Sequence, residues 1–349
     1  MAENLEPLEP EIYENLKILK IDDPKMLIHV FMFQGTNVLL SDAQDAAAVN
    51  EKRTVFVWDM DETLILLKSL LDGTYGKSCD GAKDIEKGVE IGKCWEKHIL
   101  QVCDEYFFYE QIEEFNEPFV DSLSEYDDGR DLSAYDFSKD GFSQPCDDAN
   151  KRKLAYRYRV VAQKYAQVLG LHCVLDQETL KLWDDLYDLT DDFTDKWLSS
   201  ARALLEQCLE GDFFSSSASF HSSSTTSSCH KKGEKVNVLV TSGSLVPSLV
   251  KCLLFRLNGS IPYDNVYSSW DVGKLQCFSW IKERFGSTAS QFCVIGNGSE
   301  ECEAAKAMGW PFVMIDLQPG CWHRFPGLSL KTIKQYIDVV YPEETKDES

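Results

Sequence analysis

Four apolar runs of strand length stand out along this chain: Thr54 to Trp58, Val236 to Val240, Phe292 to Ile295 and Pro311 to Ile315. Each is short, and they are rich in β-branched and aromatic residues. Each is followed directly by a polar or glycine residue. Continuous apolar runs of this length, bounded by turn residues, read as strands buried on both faces. Elsewhere the period changes. Gly88 to Tyr109, Lys151 to Gly170, Glu178 to Leu189 and Thr194 to Leu209 carry apolar residues at helical spacing, with Thr194 as a candidate N-cap for the last of them. Leu245 to Leu257 and Glu300 to Met308 read as helices that each follow a strand. Strands alternating with helices of this size predict an α/β fold with a doubly wound parallel sheet.

The pattern also divides the chain. Residues 51–71 and 234–345 form the expected α/β core, and residues 72–214 a large helical insertion after the first core strand. Within the insertion, Asp121 to Asp148 is acidic and turn-rich and reads as a loop. Residues 215–232 are almost all Ser and Thr over Ser215 to Ser228 and read as a flexible loop. Residues 1–50 are an acidic N-terminal extension, and the modest apolar stretch Met26 to Leu40 is not placed by its pattern. The insertion is expected to leave and re-enter the sheet at the catalytic edge and so to cover the site as a cap.

Composition narrows the function classes. The chain has 349 residues, 44% of them apolar, and a formal net charge of -23. A surface this acidic repels nucleic-acid phosphates, so direct nucleic-acid binding is not expected, and any phosphate site must be made locally positive. No apolar run reaches the length of a membrane span, and no signal-peptide core follows the N-terminus. The 12 Cys contain no Cys-x-x-Cys pair. Reduced thiols and a cytoplasmic or nuclear location are the expectation.

The candidate chemistry sits at the strand ends. Val55-Phe56-Val57-Trp58 runs into Asp59-Met60-Asp61-Glu62-Thr63. A calcium loop is excluded, because Thr63 and Leu64 stand where it needs an acid and a glycine. The remaining bland reading is a helix cap. Two carboxylates at the end of a buried strand otherwise need a metal, a substrate or a proton in transit. Thr241-Ser242-Gly243 follows the second strand, where the Thr241 hydroxyl and the following N–H groups can grip a phosphate oxygen at a helix N-terminus. Lys274 can neutralise phosphate charge. Asn297 follows the third strand, with Glu300 and Glu301 behind it, and can complete a metal site. In this order the set points to the haloacid-dehalogenase-like phosphotransferase fold. His172-Cys173 resembles the start of a cysteine-phosphatase loop, but position 179 is Thr179 where that loop needs arginine.

Beyond the strand ends, Lys153-Leu154-Ala155-Tyr156-Arg157-Tyr158-Arg159 and Thr194-Asp195-Lys196-Trp197-Leu198 lie in the insertion. With Trp58 to Thr63, Leu239 to Ser242, Val272-Gly273-Lys274, and Val294 to Gly298 followed by Glu300-Glu301, the chain resembles the Eyes absent family, its plant branch in particular. The resemblance runs from about Thr54 to about Leu330. It implies an Mg²⁺-dependent protein-tyrosine phosphatase that uses aspartate rather than cysteine, on a phosphotyrosyl protein substrate. Asp59 would be the nucleophile and Asp61 the acid and base. Thr241, Ser242 and Lys274 would bind phosphate, and Asp59, Asp61 and Asn297 would hold Mg²⁺. Family members carry Asp at the position of Asn297, so weakened metal binding is expected here. The long transactivation region of animal members is absent from this sequence, and their coactivator role is not part of the expectation. Two rivals stand: a catalytically impaired scaffold or transcriptional cofactor that binds protein partners through the insertion, and a small-molecule phosphatase of the same fold. Because the arginine is missing, Cys173→Ser is expected to leave phosphatase turnover intact; a large loss in a folded protein would revive a cysteine mechanism.

Overall fold

The computed structural model describes residues 53–135, 147–167, 177–210 and 233–342, together with two paired strand segments near the N-terminus. The Ser-rich segment and Cys173 lie outside the described residues, as does most of the acidic extension. The elements run β1 (Leu19–Lys20), β2 (Leu27–Ile28), β3 (Arg53–Trp58), α1 (Leu67–Leu71), α2 (Thr74–Ser78), α3 (Ile85–Phe107) and α4 (Tyr109–Ile112). A 3-10 helix, Val120–Tyr126, lies where the acidic loop was expected. Then come α5 (Asp148–Gln167), α6 (Gln177–Phe193), α7 (Trp197–Leu209), β4 (Glu234–Thr241), α8 (Leu245–Leu254) and β5 (Val266–Ser268). The chain closes with α9 (Lys274–Phe285), β6 (Ser290–Gly296), α10 (Ser299–Met308), β7 (Phe312–Met314) and α11 (Leu330–Val340).

The sheet order is β5-β4-β3-β6-β7, and every neighbouring pair is parallel. β3 is central, paired with β4 on one side and β6 on the other. The strand order reverses there, and the crevice beyond such a switch point is where open α/β sheets bind ligands. Side chains alternate across the sheet. Phe56, Trp58, Leu239 and Ile295 face a core shared with α8, α11 and the insertion helices. Val55, Val57, Val238 and Val294 face α9 and α10.

The insertion does not return to the catalytic edge. β4 is parallel to β3, with Arg53 opposite Glu234. The chain therefore leaves at the C-terminal end of β3 and must reach the opposite edge before β4 begins. Its helices travel along one sheet face and join that core. Buried tryptophans fasten them there: Trp183 Nε1–H donates to Leu254 O at 2.8 Å and Trp197 Nε1–H to Thr63 O at 3.1 Å. One stretch still reaches the site's rim. Asn116 accepts from the Leu245 N–H at 2.8 Å and donates to Asp271 at 3.0 Å. Thr194 is not the cap of α7. That position is Lys196, in a left-handed conformation, while the Thr194 hydroxyl donates to Thr190 O at 2.8 Å and closes the end of α6.

The insertion's main helix, α3, buries Gly88, Ile91, Gly92, Trp95, Ile99, Val102, Cys103 and Phe107 on one face, and Asp84 caps its start. At Gly92 the backbone of α1 comes so close that an added Cβ would lie 2.8 Å from Leu71 N. Gly92→Ala gains about 1 kcal/mol in helix propensity. The clash with backbone outweighs it, for a net loss of about 1–2 kcal/mol. Thermal unfolding would register this as a fall in Tm; a rise would show that α1 yields freely.

Candidate active site

Asp59 is the first residue beyond β3 and extends its ladder, donating its N–H to Ile295 O at 2.9 Å. Its carboxylate is buried, 7% exposed. Oδ2 accepts from the Thr63 hydroxyl at 3.1 Å, and Oδ1 accepts from Lys274 Nζ at 2.7 Å. Thr63 returns to Asp59 because Leu64 and Ile65 both donate backbone N–H groups to Met60 O, which coils the loop back on itself. Glu62 lies in that coil at φ 62 and is itself buried. Burial raises its carboxyl above the usual range, though Oε1 accepts from the Ser69 N–H at 3.0 Å.

Lys274 is buried, 3% exposed, at the first position of α9. Burial works against its charge, but the Asp59 and Glu301 carboxylates raise it above its ordinary value. Glu301 Oε2 accepts from Nζ at 2.7 Å, and Oε1 accepts from the Gly298 N–H at the start of α10. Burial alone would raise Glu301; the ammonium beside it holds it below the usual range. Glu300 accepts from the Lys274 backbone N–H at 3.0 Å. The two glutamates thus seat Lys274 and the N-termini of two helices. Asp59 goes the other way. Burial pushes it up to about 6, opposed by Lys274 and assisted by the charges of Glu301 and Asp61.

Thr241 closes β4 with its side chain buried, and Oγ1 accepts from the Gly243 N–H at 3.2 Å. Its own hydroxyl hydrogen is left to donate. Ser242 is exposed beside it. The helix-start N–H at Leu245 is taken by Asn116, so the expected grip by successive N–H groups is reduced here. Asn297 lies beside Thr63, whose hydroxyl is 3.5 Å from Asn297 Oδ1. Asp61 is paired from the side of α8: both its oxygens accept from Lys251 Nζ, at 2.8 and 2.9 Å. Among the described residues there is no group of three His, Cys, Asp or Glu that could hold a metal. With both Asp61 carboxylate oxygens on Lys251, the oxygens that could face a cation are those of the Asp59 carboxylate, the Asn297 amide and nearby backbone carbonyls such as that of Asp61.

The structure therefore gathers Asp59, Lys274, Asn297 and Glu301 around one strand end, with Thr241 at the end of the neighbouring strand. Sequence reasoning did not assign Thr63 or Lys251 to the site. Thr63 was readable as the fifth position of the Asp-x-Asp-x-Thr run; Lys251 carries no local signal. Burial pushes the thiols of Cys103, Cys252 and Cys277 up to about 12, which leaves them inert. No helix of the described residues is long and apolar enough to cross a membrane.

No family model matches the chain. A solved haloacid dehalogenase-like hydrolase from Xanthomonas campestris aligns over 83% of this chain and 99% of its own, at 12% identity and a TM-score of 0.31, too low to carry weight. The sequence relatives are far nearer. The chain is 36% identical to human protein phosphatase EYA2 over 286 residues, 77% of this chain and 48% of that protein. It is 34% identical to Drosophila melanogaster protein phosphatase eya over 80% of this chain and 36% of that one. With Arabidopsis thaliana protein phosphatase EYA the identity is 58% over 295 residues, 84% of this chain and 93% of that protein. With that identity and coverage, and an aspartate at the end of the central strand, the chain belongs to the EYA family of protein phosphatases.

Proposed function

We propose that this protein is an Mg²⁺-dependent protein-tyrosine phosphatase that works through an aspartyl-phosphate on Asp59. The observation that carries the proposal is the setting of Asp59: buried at the sheet's switch point and held on both oxygens by Thr63 and Lys274. An aspartate fixed in this way is a nucleophile aimed at the crevice.

Two displacements account for the reaction. An Asp59 oxygen bonds to phosphorus as the bond to the tyrosyl oxygen breaks, and that oxygen takes a proton from Asp61. A water then gives its proton to Asp61 while its oxygen attacks phosphorus, and Asp59 leaves with its electron pair. Thr241 and Lys274 bind the phosphoryl oxygens, and Lys274 offsets the charge that gathers on them. Glu301 and Glu300 hold Lys274 in place throughout.

The all-oxygen donor set fits Mg²⁺, a hard cation. Asp59, the backbone carbonyl of Asp61 and Asn297 would hold it, and bound there it supplies positive charge to the phosphoryl group and the nucleophile. The Asp59 carboxyl, raised chiefly by burial and further by the charges of Glu301 and Asp61, is a second sign of fit, since a cation beside it would favour the carboxylate. The amide of Asn297 supplies an oxygen without a full charge, and Glu301, already bound on both oxygens, does not replace it. That deficit is the observation favouring the second reading, an impaired scaffold that engages protein partners through its insertion. We take the substrate to be a phosphotyrosyl protein and the location to be cytoplasmic or nuclear; membranes and nucleic acids are not proposed as partners.

Hydrolysis of a phosphotyrosyl peptide against a set of sugar phosphates, with Mg²⁺ titrated, separates the readings. Turnover of the peptide alone supports the proposal. Preference for the sugar phosphates indicates a small-molecule phosphatase, and no turnover of either the scaffold. Asp59→Asn is expected to remove turnover together with the hydroxylamine-labile phosphoenzyme; retained turnover would refute the nucleophile assignment. Asn297→Asp is expected to lower the Mg²⁺ concentration for half-maximal rate by roughly tenfold or more, with the gap closing at saturating metal. Equal half-saturation in the two proteins would show that position 297 is not a ligand.

A further inference from the structure

Asp61 and Lys251 are 190 residues apart in sequence and meet at the catalytic edge. Both carboxylate oxygens of Asp61 accept from the one ammonium, at 2.8 and 2.9 Å. The pair is unequally covered: the lysine side chain is 13% exposed and the aspartate 33%. Lys251 lies in the last turn of α8, where a lysine ordinarily serves the helix's own carbonyls. It reaches the site for a geometric reason. Side chains on a helix lean toward its N-terminus. The N-terminus of α8 follows directly from Thr241, so a long side chain one or two turns in leans back to the strand ends. α8 itself cannot drift. Leu249, Val250, Cys252 and Leu253 are buried in the larger core, and the insertion's α3 packs against it.

The geometry points to Lys251 as a positioning residue that fixes the Asp61 carboxylate in one orientation at the catalytic edge of the sheet. This rests on the phosphatase reading above, in which Asp61 moves the protons. A single part-exposed ion pair contributes little to stability. Its effect is on orientation. A carboxylate one-third exposed, on a loop, has rotamer freedom that a single bidentate partner removes. An acid–base group with that freedom reaches the reacting oxygen less often, which lowers the rate of the step and leaves substrate binding alone. The fixed distance also means that the helical insertion, by bracing α8, braces the acid–base group.

The test uses the full chain with Lys251→Met, which keeps the apolar stem and removes the charge, and Lys251→Arg, which keeps a donor. Burst rates of phosphoryl transfer are measured at saturating Mg²⁺ on phenyl phosphate, whose leaving group needs a proton, and on 4-nitrophenyl phosphate, whose leaving group does not. Lys251→Met is expected to slow the first by about tenfold, a fraction of what a general acid supplies. It should slow the second by less than about threefold, with KM within about twofold for both. Lys251→Arg should recover most of the loss. Equal slowing on the two substrates, or none, would overturn the assignment. Crystal structures of wild type and Lys251→Met give a readout that needs no turnover: an Asp61 carboxylate unmoved in the variant refutes the positioning role, and a reoriented one supports it. If the wild type cleaves neither ester, the phosphatase reading fails, and the position of Asp61 is judged from the structures.

Discussion

Three charges are packed out of water at the centre of this protein, and the arrangement of the core follows from the need to satisfy them. Asp59, Lys274 and Glu301 are each under a tenth exposed, and the lysine lies 2.7 Å from an oxygen of each carboxylate. They come from three different places: the end of β3, the start of α9 after β5, and the first turn of α10 after β6. Taking charges from water is costly unless each finds its partners, and loss of one partner from a buried pair costs about 3–5 kcal/mol. Strand order therefore matters to more than backbone pairing. A sheet that put β3 anywhere but between β4 and β6 would leave at least one of these groups buried and alone. The cluster also keeps one more negative than positive charge; burial, with the charge of Glu301 adding to it, pushes the Asp59 carboxyl up to about 6 against the pull of Lys274.

The core strands could be read from the chain because each of the three central ones is covered on both faces and so is apolar throughout. β5 was not found: Val266, Tyr267 and Ser268 are too few to show a period. The helix α9 was missed too, since the exposed Leu275 and part-buried Trp280 blur the period of its buried residues Cys277, Phe278 and Ile281. The site residues on strand ends were legible because a polar residue after a buried run is costly without a function. Their pairings were not. Glu301 read as support for a metal, whereas its oxygens hold Lys274 and the start of α10. Lys251 could not be found at all, for nothing near it in sequence marks it, and only the path of α8 brings it to Asp61. The route of the insertion was misjudged because parallel pairing of β3 with β4 was not carried to its consequence, that the chain must cross to the far edge.

That crossing gives the insertion its character. Its helices share one continuous core with α8 and α11, and their aromatic groups find partners in the α/β core. Tyr165 donates to Ile261 O at 2.8 Å, as Trp183 and Trp197 donate to Leu254 and Thr63. Buried indole and phenol groups that lost these acceptors would be left unsatisfied in an apolar setting. The insertion is thus a structural layer of the catalytic body, and at Asn116 and Tyr109 it also touches the turn that begins α8.

The central position of β3 has a consequence during synthesis. Arg53 at its start pairs with Glu234, 181 residues later in the chain. At about 5–20 residues per second, the ribosome needs roughly 10–40 s to supply that partner. Throughout that interval a strand apolar on both faces, Val55 to Trp58, has two open edges, the condition that favours pairing with a foreign strand. The insertion helices emerge first and can cover only the Phe56 and Trp58 side; the Val55 and Val57 side waits for α9 and α10. Nascent chains of this protein are accordingly most vulnerable to aggregation after the insertion is made and before β4 and β6 arrive, and a holdase chaperone acting at the ribosome would do most good in that window.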